Sequence, residues 1–481
     1  MSLKMYQLLI LPCSHKVSEA SAPYQFLTER HLHAMWLEQK YFKQLNTVHG
    51  EPIEVISPGI WNAEAGPDFL KAHLKIGSED YFGDIEIHLS EEAWYQHQHH
   101  IDERYDNVIL HLSLWEAQNP ITILKKNQQK VSQAYLEKNL SISHSRIIKL
   151  IDLDLYPYKK FLGSGKCAHA LFKTLSDHKI HSFFSSAASW RLQQKHNFLS
   201  SWGGDDASTQ FAAGFSRVLG YKQNAQAFLE IFHWLHKLPL QTTQKYLALA
   251  MQASGYFSDD YQKKWNASEY YLTLLATAKN NFKNFPNVTL QLNQIRPLNH
   301  PLRRLFILSY FLHENLWSSL LKRLYSVWDD NWKNCQTKKE LRILLKALQE
   351  VLPTLEDPHW SFHFTFENTA HKDPLPLMGK ELRTNVLINV FLPFLHEKIQ
   401  KRGQQEELQK FQELFYSIPA LKSGKSRYLI HRFFGNTDKG KILKSAQMEQ
   451  GAYQLHHDFC LHYEASCEGC PFVERYNQSF K

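Results

Sequence analysis

The chain has 481 residues, 43% hydrophobic and 21% charged, with a net charge of +8. Its length exceeds what one core usually fills, and its composition excludes disordered, collagenous and disulfide-dense classes. No apolar run reaches the ~20 residues of a membrane span and the start lacks a secretory pattern, so the expected location is cytoplasmic, with no membrane association and a basic balance that permits a polyanionic partner.

In chain order, Ala22 to Leu45 reads as a helix, with Phe26, Leu32, Met35, Trp36 and Phe42 near helical spacing. Pro52 to Ile56 reads as a short strand closed by Ser57-Pro58-Gly59. Phe69 to Ile76 and Tyr81 to Leu89 alternate at period two around Gly77-Ser78, the pattern of a hairpin. Ser90-Glu91-Glu92 opens a short helix, Ala93 to Ile101. Val108 to Trp115 is a further strand, and Ile121 to Leu124 another after the turn at Asn119-Pro120. From about residue 180 helical stripes dominate: His181 to Trp202, Ser208 to Leu219, Asn224 to His236, Ser268 to Asn280, Leu302 to Tyr325, Lys339 to Leu352, Glu381 to Lys401 and Glu406 to Tyr416. The stretch Tyr156 to Lys166 marks the boundary. The expected organisation is an α+β protein: an α/β domain over 1–155, an α-helical domain over 165–445 and a Cys-bearing module over 446–481.

Gly66-Pro67-Asp68 opens one alternating run, and Glu86-Ile87-His88 closes the next. Two carboxylates on neighbouring strands suit Mg²⁺ or Mn²⁺, hard cations that take oxygen ligands and keep waters for chemistry. Period two puts Asp84, Glu86 and His88 on one strand face, so His88 would project beside such an ion. Asn62 and Glu64 are placed to hydrogen-bond the turn before Asp68.

The order of elements, with Pro67-Asp68 and Glu86-Ile87-His88 where they stand, resembles the PD-(D/E)xK nuclease superfamily over roughly residues 22–125. The resemblance implies a mixed sheet flanked by helices, catalytic roles for Asp68 and Glu86, and a further acid on the first helix, Glu29 first and Glu38 second. His88 stands where that superfamily carries Lys. The segments WNAEAGPDF and GDIEIHLSEEAWYQHQHHIDERYDNVILH, with the C-terminal cysteines, are similar to an uncharacterised bacterial family described only as a domain of unknown function.

His97, His99 and His100 follow Trp94, with His97 and His100 three apart, and His111 follows on the next strand. They read as structural imidazoles, as contacts to phosphate or base, or as metal ligands. Cys460, Cys467 and Cys470 are clustered, whereas Cys13, Cys167 and Cys335 read as isolated thiols. The Cys-x2-Cys half suits a metal knuckle, and the spacing resembles the iron–sulfur module of endonuclease III-like DNA glycosylases, where Tyr476 occupies the position of the fourth Cys. The expected cofactor is Zn²⁺ or a [4Fe–4S] cluster, with His456 or His457 as fourth ligand. Arg303-Arg304 and the run with Lys425 and Arg427 are basic stretches suited to a phosphate backbone.

These observations lead to a metal-dependent nuclease acting on DNA. A nuclease-like fold that binds nucleic acid without cutting it, and a metal-stabilised protein-interaction scaffold, are the other two readings.

Overall fold

Apolar alternation builds a seven-stranded mixed sheet in the computed structural model, which describes residues 3–10, 27–116, 121–157, 163–202, 204, 206–279, 285–292, 295–367, 370–421, 423–461, 467 and 469–480. The first elements are α1 (Leu3–Ile10) and α2 (Glu29–Glu38). The strands are β1 (Leu45–Asn46), β2 (Pro52–Ser57), β3 (Ile60–Trp61), β4 (Phe69–Ile76), β5 (Glu79–His88), β6 (Val108–Ser113) and β7 (Ser132–Tyr135), in spatial order β1-β2-β4-β5-β6-β7 with β3 on β4. β2, β4 and β5 pair antiparallel, and β6 and β7 add parallel to β5. Between β5 and β6 the chain makes α3 (Ala93–Gln96) and two 3-10 turns, His99–Ile101 and Glu103–Tyr105.

The chain divides into two units. One comprises Ser2–Ser176, Tyr428–Gly440 and Tyr453–Lys481, and the other comprises Asp177–Arg427 and Lys441–Ala452. The segment 446–481, expected as a separate module, is therefore shared between them.

In the sheet-bearing unit, Ile85 and Ile87 of β5 enter a core with Leu32, Met35 and Trp36 of α2 and Leu110 and Leu112 of β6. Alternation sends Glu86 and His88 to the opposite face. Here Trp94, Tyr105, Val108, Ile123 and Val131 form a smaller apolar cluster. The β4–β5 register shifts between Phe69 and Ala72, where Lys71 is left-handed (φ 59) and its N–H donates to Asp84 Oδ1 at 3.0 Å. Asp84 thus holds this bulge, and residues 85–88 take up their register beyond it.

Several expected boundaries change; the helix over 93–101, for one, stops at Gln96. The helix over 22–45 is Glu29–Glu38, with 22–26 outside the described residues. Gln39 turns left-handed (φ 51) and ends it, and Phe42 pairs with Leu140 in a bridge instead of extending the apolar stripe. Ile121–Leu124 is not a strand: Leu124 makes one bridge, to Lys130, and β7 takes the place beside β6. The polar run before β7 hid that strand. The helix expected over 302–325 breaks at Asn315 (φ 48) into Pro301–Glu314 and Trp317–Asn331.

The other unit is helical, from α4 (Asp177–Trp202) onward, around one large core that includes Phe211, Phe228, Leu305, Phe311 and Phe391. Helices Thr243–Ala253, Asp259–Trp265 and Ala446–Leu455 add to those expected. Among the described residues no helix is long and apolar enough to cross a membrane.

Four histidines of this unit make its stability pH-dependent. Burial pushes His396, His300, His359 and His233 from the ordinary 6.5 down to about 4. Unfolded chains take up these protons near pH 6.5, whereas folded chains take them up only near pH 4. The unfolded state therefore binds more protons in that window, and stability falls as the pH is lowered through it. Fully buried His396 contributes most, up to about 3 kcal/mol, and the other three contribute less because solvent reaches them. Denaturant midpoints measured between pH 7 and 4 should fall steadily, and His396→Asn should flatten the slope.

Candidate carboxylate–imidazole site

The centre forms where β4 begins and β5 ends. Gly66 (φ 114) and Pro67 lead the chain into β4, and Asn62 fixes the turn by donating from Nδ2 to Pro67 O at 2.9 Å. Asp68 and Glu86 brace each other's strands. The Asp68 N–H donates to Glu86 Oε2 at 3.1 Å, and the Ile87 N–H donates to Asp68 Oδ2 at 2.9 Å. Glu29 and His33 stand one turn apart on α2. Glu29 Oε1 accepts from the Leu89 N–H at 3.3 Å, and His33 Nε2 lies 3.1 Å from Asp68 Oδ2.

Two imidazoles converge on Glu86, and a third joins them through His88. His88 Nε2 and His99 Nε2 lie 3.3 and 3.2 Å from Glu86 Oε1. His97 Nδ1 lies 3.2 Å from His88 Nε2, and one ring nitrogen from each of His88, His97 and His99 falls within 4.8 Å of the others. His88 Nδ1 meets His111 Nε2 at 2.9 Å. Tyr105 stacks on His99 with ring centroids 3.9 Å apart, and Trp94 packs edge-on to both His99 and His111. Glu86 and His88 are deeply buried, while His97 is exposed and opens the cluster to solvent.

The electrostatics keep carboxylate and neutral imidazole side by side. Burial opposes the Asp68 charge, but the His33 imidazole outweighs it and holds the carboxyl below its ordinary range. Burial, then the neighbouring His111, hold His88 well below 6.5. Burial lowers His99 to about 4, aided by His97, and lowers His111 to about 3, aided by His99. Burial raises the Glu29 carboxyl despite His33 beside it.

The donor set fits a divalent transition ion. Among the described residues buried His99 Nε2 has no hydrogen-bond partner, although it stands close to Glu86 Oε1. Two donors each ~2.1 Å from one ion, at tetrahedral or octahedral angles, stand about 3.0–3.4 Å apart, the spacing of the pairs Glu86–His88, Glu86–His99 and His88–His97. Imidazole and carboxylate together suit Mn²⁺, Fe²⁺ or Zn²⁺ better than Mg²⁺.

Asp68, Glu86, His88, Glu29 and His97, all expected from sequence, lie together. His99, weighed from sequence with the other histidines, also joins them, as does His33, which had no sequence assignment. The Glu29–His33 spacing of one helical turn was the available signal. His100 stays out, its ring against Tyr95. Glu38 is engaged by the Tyr156 hydroxyl at 2.7 Å.

Arg303 and Arg304 are corrected. Both are buried in the helical unit and cannot meet a phosphate backbone. Arg303 donates to the carbonyls of Trp360, Leu298 and Leu375, and Arg304 donates to Asn299 Oδ1. Their charge was legible in the sequence, but two of the acceptors of Arg303, the Trp360 and Leu375 carbonyls, lie far along the chain. Lys425 is half-buried and Arg427 exposed on the helix Gly424–Phe434. His456, expected as a ligand beside the cysteines, does not line their cavity. Its ring packs edge-on against Tyr428.

Fold and site together define an α+β protein with a carboxylate–imidazole centre at the junction of two adjacent strands. The chain belongs to the family described as Protein of unknown function (DUF2851), whose model matches residues 29–423. No curated protein and no solved structure matches it.

Proposed function

We propose that the protein is a metal-dependent nuclease acting on DNA, with Asp68, Glu86 and His88 as the core of a modified PD-(D/E)xK site. The observation that carries this reading is the mutual bracing of Asp68 and Glu86, with the imidazoles of His88 and His99 at Glu86 Oε1. The arrangement α2, β2, β4, β5, helical turns, then β6 parallel to β5 is the order that superfamily uses. Its finer identity as that fold is part of the proposal.

Glu86, His88, His97 and His99 would hold the ion, for which Mn²⁺ is the first choice. Such an ion, when bound, polarises a phosphoryl oxygen and acidifies a water. For His88 to offer Nε2 as a ligand, its proton sits on Nδ1 and is donated to His111 Nε2, so His111 fixes the tautomer. His33 keeps Asp68 ionised beside the centre. Glu29, its carboxyl raised by burial, is suited to accept a proton from water there. Exposed His97 marks the side from which substrate enters.

The test is incubation of the full-length protein with single- and double-stranded DNA and with RNA, with Mn²⁺ or Mg²⁺. Cleavage of DNA that is faster with Mn²⁺ is expected. DNA that is shifted in a gel but left intact under every condition would replace this reading with binding alone. Neither cleavage nor binding would leave the interaction scaffold.

A further inference from the structure

Cys167 stands almost three hundred residues before Cys460 in sequence, yet Cys167, Cys460, Cys467 and Cys470 line one cavity of about 20 Å³ in the sheet-bearing unit. All four are free thiols. Phe433, Phe459 and Phe472 wall the cavity and keep it apolar. Four cysteines lining one apolar cavity without a disulfide are a donor set for a thiophilic metal.

The backbone is shaped to bring them there. Cys167 precedes the π-helical turn Ala168–Phe172, and Cys460 closes the π-helical turn His456–Cys460. Such wide turns are uncommon and cluster at functional sites. Cys467 is left-handed (φ 59), as is Gly469 (φ 67), and the Cys470 N–H donates to Cys467 O at 3.3 Å. A non-glycine residue held in that region costs about 1 kcal/mol, which ligation of its side chain would offset. Buried Arg432 donates from Nη2 to Cys467 Sγ and supplies positive charge opposite the sulfurs.

The size of the cavity chooses between the two thiolate-bound groups. Four thiolates ~2.3 Å from a single zinc close around it and leave no space for a water-sized sphere. Here the space exceeds the ~10–15 Å³ that one such sphere needs. We propose that Cys167, Cys460, Cys467 and Cys470 hold a [4Fe–4S] cluster, with Cys167 as the fourth ligand. The cluster would tie residue 167 to the last stretch of the chain, a structural role independent of the chemistry at Asp68 and Glu86.

The test uses full-length protein purified without oxygen. Iron and acid-labile sulfide in equal amounts are expected, with a broad visible absorption that bleaches on reduction. Cys167→Ser should lose iron and colour as completely as Cys467→Ser, while His456→Ala and Cys335→Ser keep both. Zinc in place of iron, no metal at all, or an unchanged spectrum in Cys167→Ser would overturn the proposal. A second measurement needs no variant. Ferricyanide should strip the cluster from the wild type and couple its ligands, so that peptide mapping finds Cys167 in a disulfide with one of the other three. Cys167 left as a thiol in the stripped protein would overturn the assignment.

Discussion

Asp68→Asn and Glu86→Gln should each lower metal-dependent cleavage by roughly a thousandfold or more, about 4 kcal/mol of transition-state stabilisation. Both substitutions keep a side-chain oxygen for the backbone N–H that each carboxylate now satisfies, from Ile87 and Asp68 respectively. Folding should therefore survive, and thermal unfolding should stay near that of the wild type. The two should differ in binding. Glu86→Gln removes the negative oxygen around which His88 and His99 gather, so metal affinity falls with activity. His111→Phe acts one step further out and should cost about 10–100-fold in metal affinity by freeing the His88 tautomer. Gel-shift affinity measured without metal should stay unchanged in all three. Full activity in either carboxylate variant would remove the site from the reaction.

Arg402→Ala should destabilise the helical unit by about 3–5 kcal/mol, the cost of leaving a buried charge without its partner. Glu407 is fully buried and accepts from Arg402 Nη1 at 2.7 Å and from Trp328 Nε1 at 2.9 Å. Arg402 is itself steadied by Asp329, which accepts from Nη1 at 2.7 Å and from Nη2 at 3.0 Å, and Lys398 reaches the same carboxylate at 3.1 Å. Without the guanidinium, Glu407 keeps only the indole N–H. At about 2–4 °C for each kcal/mol in a unit of this size, the melting temperature should fall by roughly 6–20 °C. Adding Glu407→Leu to Arg402→Ala removes the orphaned charge and should recover much of the loss. A single Arg402→Ala variant that melts within a degree of the wild type would show that this ion pair is not what keeps Glu407 buried. These losses should not change cleavage per folded molecule, because none of these residues belongs to the sheet-bearing unit.

Local pattern carried the sheet and the carboxylates. Period-two alternation marked β4 and β5, and the turn before Asp68 announced itself through Gly66 and Pro67. Residues whose neighbours come from distant sequence were less legible. His33 lies on a helix whose stripe reads as ordinary amphipathicity, and only the fold carries it to Asp68. His97 and His100 suggested a shared helix face, but the helix ends at Gln96 and the following 3-10 turn brings His99 inward instead. Cys167 looked isolated because no other cysteine lies near it in sequence, and the three cysteines that line its cavity come from far along the chain. Arg303 and Arg304 looked like a surface patch because charge alone does not reveal an internal set of carbonyl acceptors.

The most direct test of the central claim is electron-nuclear double resonance on the full-length protein with one equivalent of Mn²⁺. Tight binding at a single centre, with nitrogen couplings from imidazole that diminish in His88→Ala and in His99→Ala and vanish when His97 is replaced as well, is the predicted result. Mn²⁺ that stays in solution, or that binds with no nitrogen coupling, would contradict a carboxylate–imidazole metal centre at Glu86.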